Sequence, residues 1–351
     1  MDTVFHGLAG ELHIGGPELY VDNHSRRRSG HMSHAMAEFA PGKVICFNSN
    51  CSAVRFGGHA AFGWVEYRIS ADGGRTWSAS RDLPYSRDEF FDGVYTISVE
   101  KAVAVDGVIT IFALRNSQFE PISCQPWDTV MTLRSLDGGE TWSEPRELGP
   151  WKGRLYDATV RDGIIYALEF CNENFIGKRP EHVYRLYRSI DRGASFEEVS
   201  VIDLAHHGSG YGALQFRPDG SLLAYACNIH DGHRLAVSCS RDLGKTWRRL
   251  PTIRMKYGIR NVQTARLGRG YVMHGRATPD GGTGRGFVFY TSRDGIAWDD
   301  GILLETEKEL CYYSNNLVLK DPDGAERMLV QYSDAYDGAK VDVMHRWVTL
   351  R

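Results

Sequence analysis

Short strand-like apolar runs recur along the whole chain. One set reads GVITIFAL, GIIYALEF, GSLLAYAC and GYVMHG; a second reads FGWVEYRIS, VMTLRS, VYRLYRS, LAVSCS and GFVFYTS. None is long enough to span a membrane. Each member of the second set leads into a polar box that ends on an aromatic residue. The boxes are SADGGRTW at 70, SLDGGETW at 135, SIDRGASF at 189, SRDLGKTW at 240 and a shorter SRDGIAW at 292. Their aspartates, Asp72, Asp137, Asp191, Asp242 and Asp294, are spaced by 65, 54, 51 and 52 residues. A period near fifty residues indicates a propeller or an array. The order within each period is strand, turn, strand, loop, strand, box, strand, which is one four-stranded antiparallel blade.

Six such units are predicted: Ser33 to Pro84, Val94 to Leu148, Tyr156 to Ile202, Tyr211 to Ile253, Asn261 to Leu304 and Tyr313 to Val348. The sixth has no box and no final strand. The N-terminal segment around Val4 to Ile14 is expected to supply that strand and close the ring, removing exposed edges. The expected fold is thus all-β, a six-bladed β-propeller occupying residues 1–351 as one domain, with about residues 1–16 closing the sixth blade.

Composition narrows the function classes. The 351 residues carry a formal charge of −3, which gives no strong basic field for nucleic acid. Seven cysteines without a CxxC pair read as small buried hydrophobes, not as a disulfide framework or zinc site. No cofactor and no metal are expected. The first residues lack a basic region followed by an apolar one, which predicts a cytoplasmic protein if this start is native. A chain with its signal trimmed would look the same.

Five boxes at blade spacing resemble the Asp boxes, or BNR repeats, of the sialidase (neuraminidase) superfamily, six-bladed β-propellers that act as glycoside hydrolases. The resemblance covers nearly the whole chain. It implies that the box serine and aspartate bond turn amides, that the glycines take positive φ and that the aromatic packs into the blade. The box aspartates are then scaffold. A box between third and fourth strands also marks the face opposite the site. The site should be built from the starts of first strands and the loops between second and third strands.

Sialidases are similar in using three arginines on the substrate carboxylate, a Tyr/Glu nucleophile pair and an Asp acid/base. The resemblance carries over at Arg285, seven residues before Ser292 in RGFVFYTS, and at Arg234, which opens the strand before the fourth box. It also carries over at Tyr313 in CYYSNNLVL, with Tyr312 as a second candidate. It departs at three places. The first-arginine stretch reads GHMSHAMAEFAPGK, with His31 and His34. The acid stretch NSNCSAVRFGGHAAFG has no acid but holds Arg55 and His59. Tyr211 stands near the place of the nucleophile's glutamate.

The expected catalytic residues are therefore Tyr313, His34 and His59, histidine being the side chain that titrates near neutrality. Arg234, Arg285, Arg260, Arg55 and Tyr211 are expected to bind substrate, since guanidinium forks suit a planar carboxylate. The partner implied is an acidic oligosaccharide or glycan, with no nucleic acid and no membrane. Three functions are carried forward: a sialidase-like glycosidase, a β-elimination lyase on a uronate-type sugar, and a sugar-binding propeller without catalysis. A lyase needs a neutralised carboxylate, a base and an acid, for which His, Tyr and Arg suffice. Asp157 and Glu169 are more distant candidates for the acid.

Overall fold

The computed structural model describes residues 2–56, 60–118, 128–171, 183–204, 208–278, 286–304, 313–338 and 340–351. They form an all-β molecule of antiparallel sheets. The first sheet runs Met36–Ala40, Lys43–Phe56, Ala60–Ser70 and Arg81–Asp82. The second begins Tyr95–Val105, Val108–Ser117 and Thr129–Ser135. Its outer strand is the start of Arg146–Arg161, where Arg146 and Glu147 pair with Thr132 and Met131. The rest of that strand, Gly153 onward, opens the third sheet with Ile164–Cys171, Val183–Ser189 and Glu197–Ile202. One strand thus serves two sheets.

The fourth sheet runs Ser209–Phe216, Leu222–Asn228 and Arg234–Ser240, edged by Arg248–Arg249 and Ile253–Arg254. The fifth runs Gly258–Leu267, Gly270–Thr278, Phe287–Ser292 and Ile302–Leu304. The last runs Ser314–Lys320, Glu326–Asp337 and Lys340–Leu350. Its next strand comes from the other end of the chain: Leu12, His13 and Ile14 pair with Leu350, Thr349 and Val348. The N-terminal segment is a hairpin, Thr3–Gly7 against Gly10–Ile14, and Glu18–Val21 also pairs with Lys340–Leu350. The first strands of successive sheets are neighbours in order, and Ser314–Lys320 of the last neighbours Met36–Ala40 of the first.

Apolar layers fill the space between neighbouring sheets, as expected for faces that must each find a cover. Ile45, Phe47, Val65 and Tyr67 meet Val99, Ile109, Ile111 and Leu133. Val103 and Phe112 meet Ile165 and Tyr187. Leu267, Phe287 and Phe289 meet Met328, Val330 and Val348, with Leu12 and Ile14 from the N-terminal hairpin. Among the described residues no helix is long and apolar enough to cross a membrane.

The boxes are closed hydrogen-bonded turns. In the first, Gly74 N donates to Ser70 Oγ (2.8 Å), and Ser70 Oγ donates to Asp72 Oδ1 (2.8 Å). Thr76 donates to the same carboxylate from its amide (2.8 Å) and its hydroxyl (2.6 Å). The same pattern recurs around Asp137, Asp191 and Asp242. These bonds hold the Asp137 and Asp242 carboxyls down to about 2. Each box also docks on the preceding sheet. Tyr67 Oη donates to the Gly139 carbonyl (2.8 Å) and Tyr225 Oη to the Gly295 carbonyl (2.6 Å). Trp142 stacks edge-on against Phe47 and Tyr67. The box is therefore a turn and an inter-sheet pin at once.

Candidate functional site

At the end of the sheets away from the boxes, the first strands stop being regular. The pairing register slips between Val99 and Lys101, Leu155 and Asp157, Gly210 and Ala213, and Arg260 and Gln263. A bulge re-aims the side chain it carries. The residues inside these slips, Glu100, Tyr156, Tyr211 and Asn261, all line one pocket. Backbone strain gathers there too. Eight non-glycine residues have positive φ among the described ones. Asp106 and Asp162 sit in Asp-Gly turns, Arg192 and Leu243 in boxes, and Arg27 ends a short helix. The other three, Ser33 (66°), Tyr211 (55°) and Asn261 (55°), line the pocket. Strain of about 1–3 kcal/mol per residue persists only where the surroundings impose it.

The pocket is a cavity of about 40 Å³, also lined by His34, Arg154, Gln263, Tyr313 and Asn315. Two ion pairs cross between the first strands of the second and third sheets. Arg154, 1% exposed, donates from Nε (2.9 Å) and Nη2 (2.7 Å) to Glu100 Oε2. Its Nη1 reaches the Tyr313 hydroxyl (3.4 Å), and its guanidinium lies 5.1 Å from the Tyr313 ring and 5.2 Å from Tyr156. Burial pushes the Glu100 carboxyl up, with Arg154 opposing. Further along the same two strands, Lys101 Nζ pairs with Asp157 Oδ1 (2.8 Å). Lys101 also donates to Gln263 Oε1 (3.1 Å) and Asn315 Oδ1 (2.8 Å), tying in the fifth and last sheets. Beyond this knot, a cavity of about 440 Å³ continues between the first strands.

The sequence-predicted residues divide. His34, Tyr211 and Tyr313 line the pocket together. His34 does so with both ring nitrogens engaged. Gln331 gives its Oε1 to His345 (2.9 Å) and its Nε2 to the Phe47 carbonyl (2.6 Å), which fixes its amide. Nε2 then donates to His34 Nδ1 (3.2 Å), leaving His34 Nε2 to donate to Ser333 Oγ (2.8 Å). Burial, and then the neighbouring His31 and His345, push His34 down to about 3. It is held neutral, contrary to the expected proton carrier. Burial likewise raises the Tyr211 phenol, with Tyr313 adding and Arg276 opposing.

Arg260 is half-buried and donates to the Ile229 carbonyl (2.6 Å); it stands directly across from Arg276 in the fifth sheet. Arg234 opens its strand as expected, but it is exposed and outside the pocket lining, because the strand begins at the molecular surface. Asp157 is taken by Lys101, and its Oδ2 accepts from Leu214 N (2.8 Å). Glu169 is buried in Ile164–Cys171 and is not in the lining. His59, Arg285, Tyr312 and the side chain of Arg55 lie outside the described residues.

Sequence reasoning missed Glu100 and Arg154. Their signal was charge inside apolar first strands, in TISVEKAVAV and GRLYDATV. Adjacent charges there cannot all reach water, so they must find partners.

This architecture is of the β-propeller type seen in sialidases. No protein-family model and no curated protein matches the sequence. Solved structures match in fold. A protein of unknown function from Dyadobacter fermentans superposes with a TM-score of 0.74 at 15% identity, over 97% of this chain and 99% of that one. The Trypanosoma rangeli sialidase, solved with 2,3-difluorosialic acid as a covalent intermediate, gives 0.64 at 13% identity, over 99% of this chain and 58% of that one. A mutant of the NanB sialidase from Streptococcus pneumoniae gives 0.59 at 12%, over 99% of this chain and 70% of that one. The chain thus spans little more than half of the Trypanosoma enzyme. At these identities the likeness is one of fold.

Proposed function

We propose that this chain is a sialidase-like carbohydrate-active enzyme that cleaves the glycosidic bond of a terminal, carboxylate-bearing sugar, with Tyr313 as the reacting side chain. It is read as a single six-bladed ring closed by its N-terminal strand. The Leu12–Leu350 pairing and the neighbouring of Ser314–Lys320 with Met36–Ala40 support that reading. The observation that carries the function is the Glu100–Arg154–Tyr313 chain of contacts in the pocket. A guanidinium cannot take the phenol proton. Held rigidly by Glu100, it faces negative charge developing on the Tyr313 oxygen, which is preorganised electrostatic stabilisation. An anionic ligand is supported by Arg260 and Arg276. They stand directly opposite each other, and neither has a carboxylate partner among the described residues. Like charges so placed repel unless an anion joins them. Arg285 and Arg55 stay in the proposal as further cations, and His59 as a proton carrier.

One observation favours elimination over hydrolysis as a second reading. Among the described pocket residues, the single carboxylate is occupied by Arg154 and His34 is held neutral. Phenols then remain to move protons, which suits a lyase.

The test is incubation with sialosides and with uronate-containing oligosaccharides, reading released acidic sugar and absorbance of an unsaturated product. Released sugar without unsaturation supports the hydrolase. An unsaturated product supports the lyase and sinks the hydrolase. Binding without either leaves a sugar-binding propeller and overturns the enzymatic reading.

A further inference from the structure

The Lys101 knot bears on what the pocket holds. An ammonium has three donors and no acceptor. Asp157, Gln263 and Asn315 take all three. Whatever amide atom faces Lys101 must therefore be the oxygen, so chemistry fixes how both amides are turned. The Asn315 Nδ2 is directed to the Glu100 carbonyl (3.3 Å). The Gln263 Nε2 has no partner among the described residues, although Gln263 is only 8% exposed and lines the pocket. The Tyr156 hydroxyl is buried in the same pocket without a partner, and so is Asn261 Oδ1. Buried polar atoms left without partners are costly, so Tyr156 Oη and Asn261 Oδ1 around one cavity call for a polar occupant. The cavity of about 40 Å³ holds the equivalent of about three waters, room for a group of three or four heavy atoms and not for a sugar ring.

We propose that Lys101 is a positioning residue that turns the Gln263 amide N–H groups toward the pocket, and that Gln263 Nε2 and Tyr156 Oη receive the carboxylate of the ligand there. The inference rests on this pocket being the ligand site of the proposed enzyme, and it names the seat of the acidic group. Arg260 and Arg276 then draw an anion by their field, while the uncharged floor fixes it by hydrogen bonds. Asn261 Oδ1 accepts from a hydroxyl next to the carboxylate, the arrangement of a hydroxy acid.

The probe is acetate, followed through the Gln263 side-chain amide signal in nitrogen-15 NMR of the full chain. In the wild type that signal shifts as acetate is added. Gln263→Glu keeps an oxygen for Lys101 but removes the donor. It should unfold at an unchanged temperature and bind acetate at least about tenfold more weakly, the loss of about one hydrogen bond to a charged group. In Lys101→Met the Gln263 amide signal should move before any acetate is present, and affinity should fall likewise. Should Lys101→Met fail to fold, Gln263→Glu decides. Equal acetate binding by Gln263→Glu, or none by the wild type, overturns the proposal. Turnover of acidic glycosides without acetate binding sinks this inference alone. Acetate binding without turnover of any glycoside sinks the enzymatic reading alone.

Discussion

The two ends of the sheets are built on opposite principles. At the box end, four turns repeat one scheme in which serine, aspartate and the next threonine or serine satisfy each other within a few residues. At the pocket end nothing repeats. Each first strand carries a different side chain inward, and contacts span up to 299 residues, as between His34 and Ser333. In the box turns serine, aspartate and threonine side chains are paired with one another; the pocket end leaves Tyr156 Oη and Asn261 Oδ1 unpaired among the described residues. Local closure makes scaffold, and long-range incompleteness makes a site.

The strongest test of that contrast is Arg154→Met. It leaves the Glu100 carboxylate buried without its cation, so it should cost about 3–5 kcal/mol in urea unfolding and abolish turnover. An intact stability would show that the ion pair is not the buried link described. Next, Tyr313→Phe should lower kcat by about 10²–10⁴-fold, the usual loss for a proton-transfer group, with an unchanged melting temperature. A change confined to KM would make Tyr313 a binding residue.

At the box end the effects are smaller and depend on pH. Asp137 and Asp242 have carboxyls near 2 in the fold, against an ordinary value near 4. Because the folded value is the lower one, their contribution is complete above about pH 4 and is withdrawn as pH falls toward 2. Stability followed by circular dichroism should fall across that window, and less steeply in Asp137→Asn. Identical slopes would remove the box from acid unfolding. Smallest of all is Leu243→Gly. Leu243 holds φ at 61° where two other boxes have glycine at the same place, Gly73 and Gly138. Relief of about 1–2 kcal/mol of strain, less the extra freedom of glycine in the unfolded chain, should stabilise by up to about 1 kcal/mol. Turnover should not change. The strain at Tyr211 is different, because its side chain occupies the pocket.

The box end and the strand order were legible because they depend on neighbours in sequence. An apolar run followed by SxDxG predicts its own hairpin, and Gly10–Ile14 fell where an unpaired edge required a strand. Tyr211 and Tyr313 could be placed by their distance from those markers. Glu100 and Arg154 could not, because a one-residue bulge turns a strand's alternation over and sends Glu100 to the pocket. Arg234 is the converse case: its motif places it at the start of its strand, yet nothing local to the motif says which way the first residue of a strand points. The neutrality of His34 depends on Gln331, Ser333 and His345, some three hundred positions away.

The strand Arg146–Arg161 has a consequence for how the molecule breathes. It is the outer rail of one sheet and the inner rail of the next, and no loop separates the two duties. Slack cannot be taken up between these sheets as it can where a connection intervenes. Amide protons of Ile109–Ala113 and Ile165–Leu168 should therefore exchange with solvent in one cooperative opening. Arg154 sits on that rail, so the residue facing Tyr313 belongs to the part of the molecule that opens least often alone.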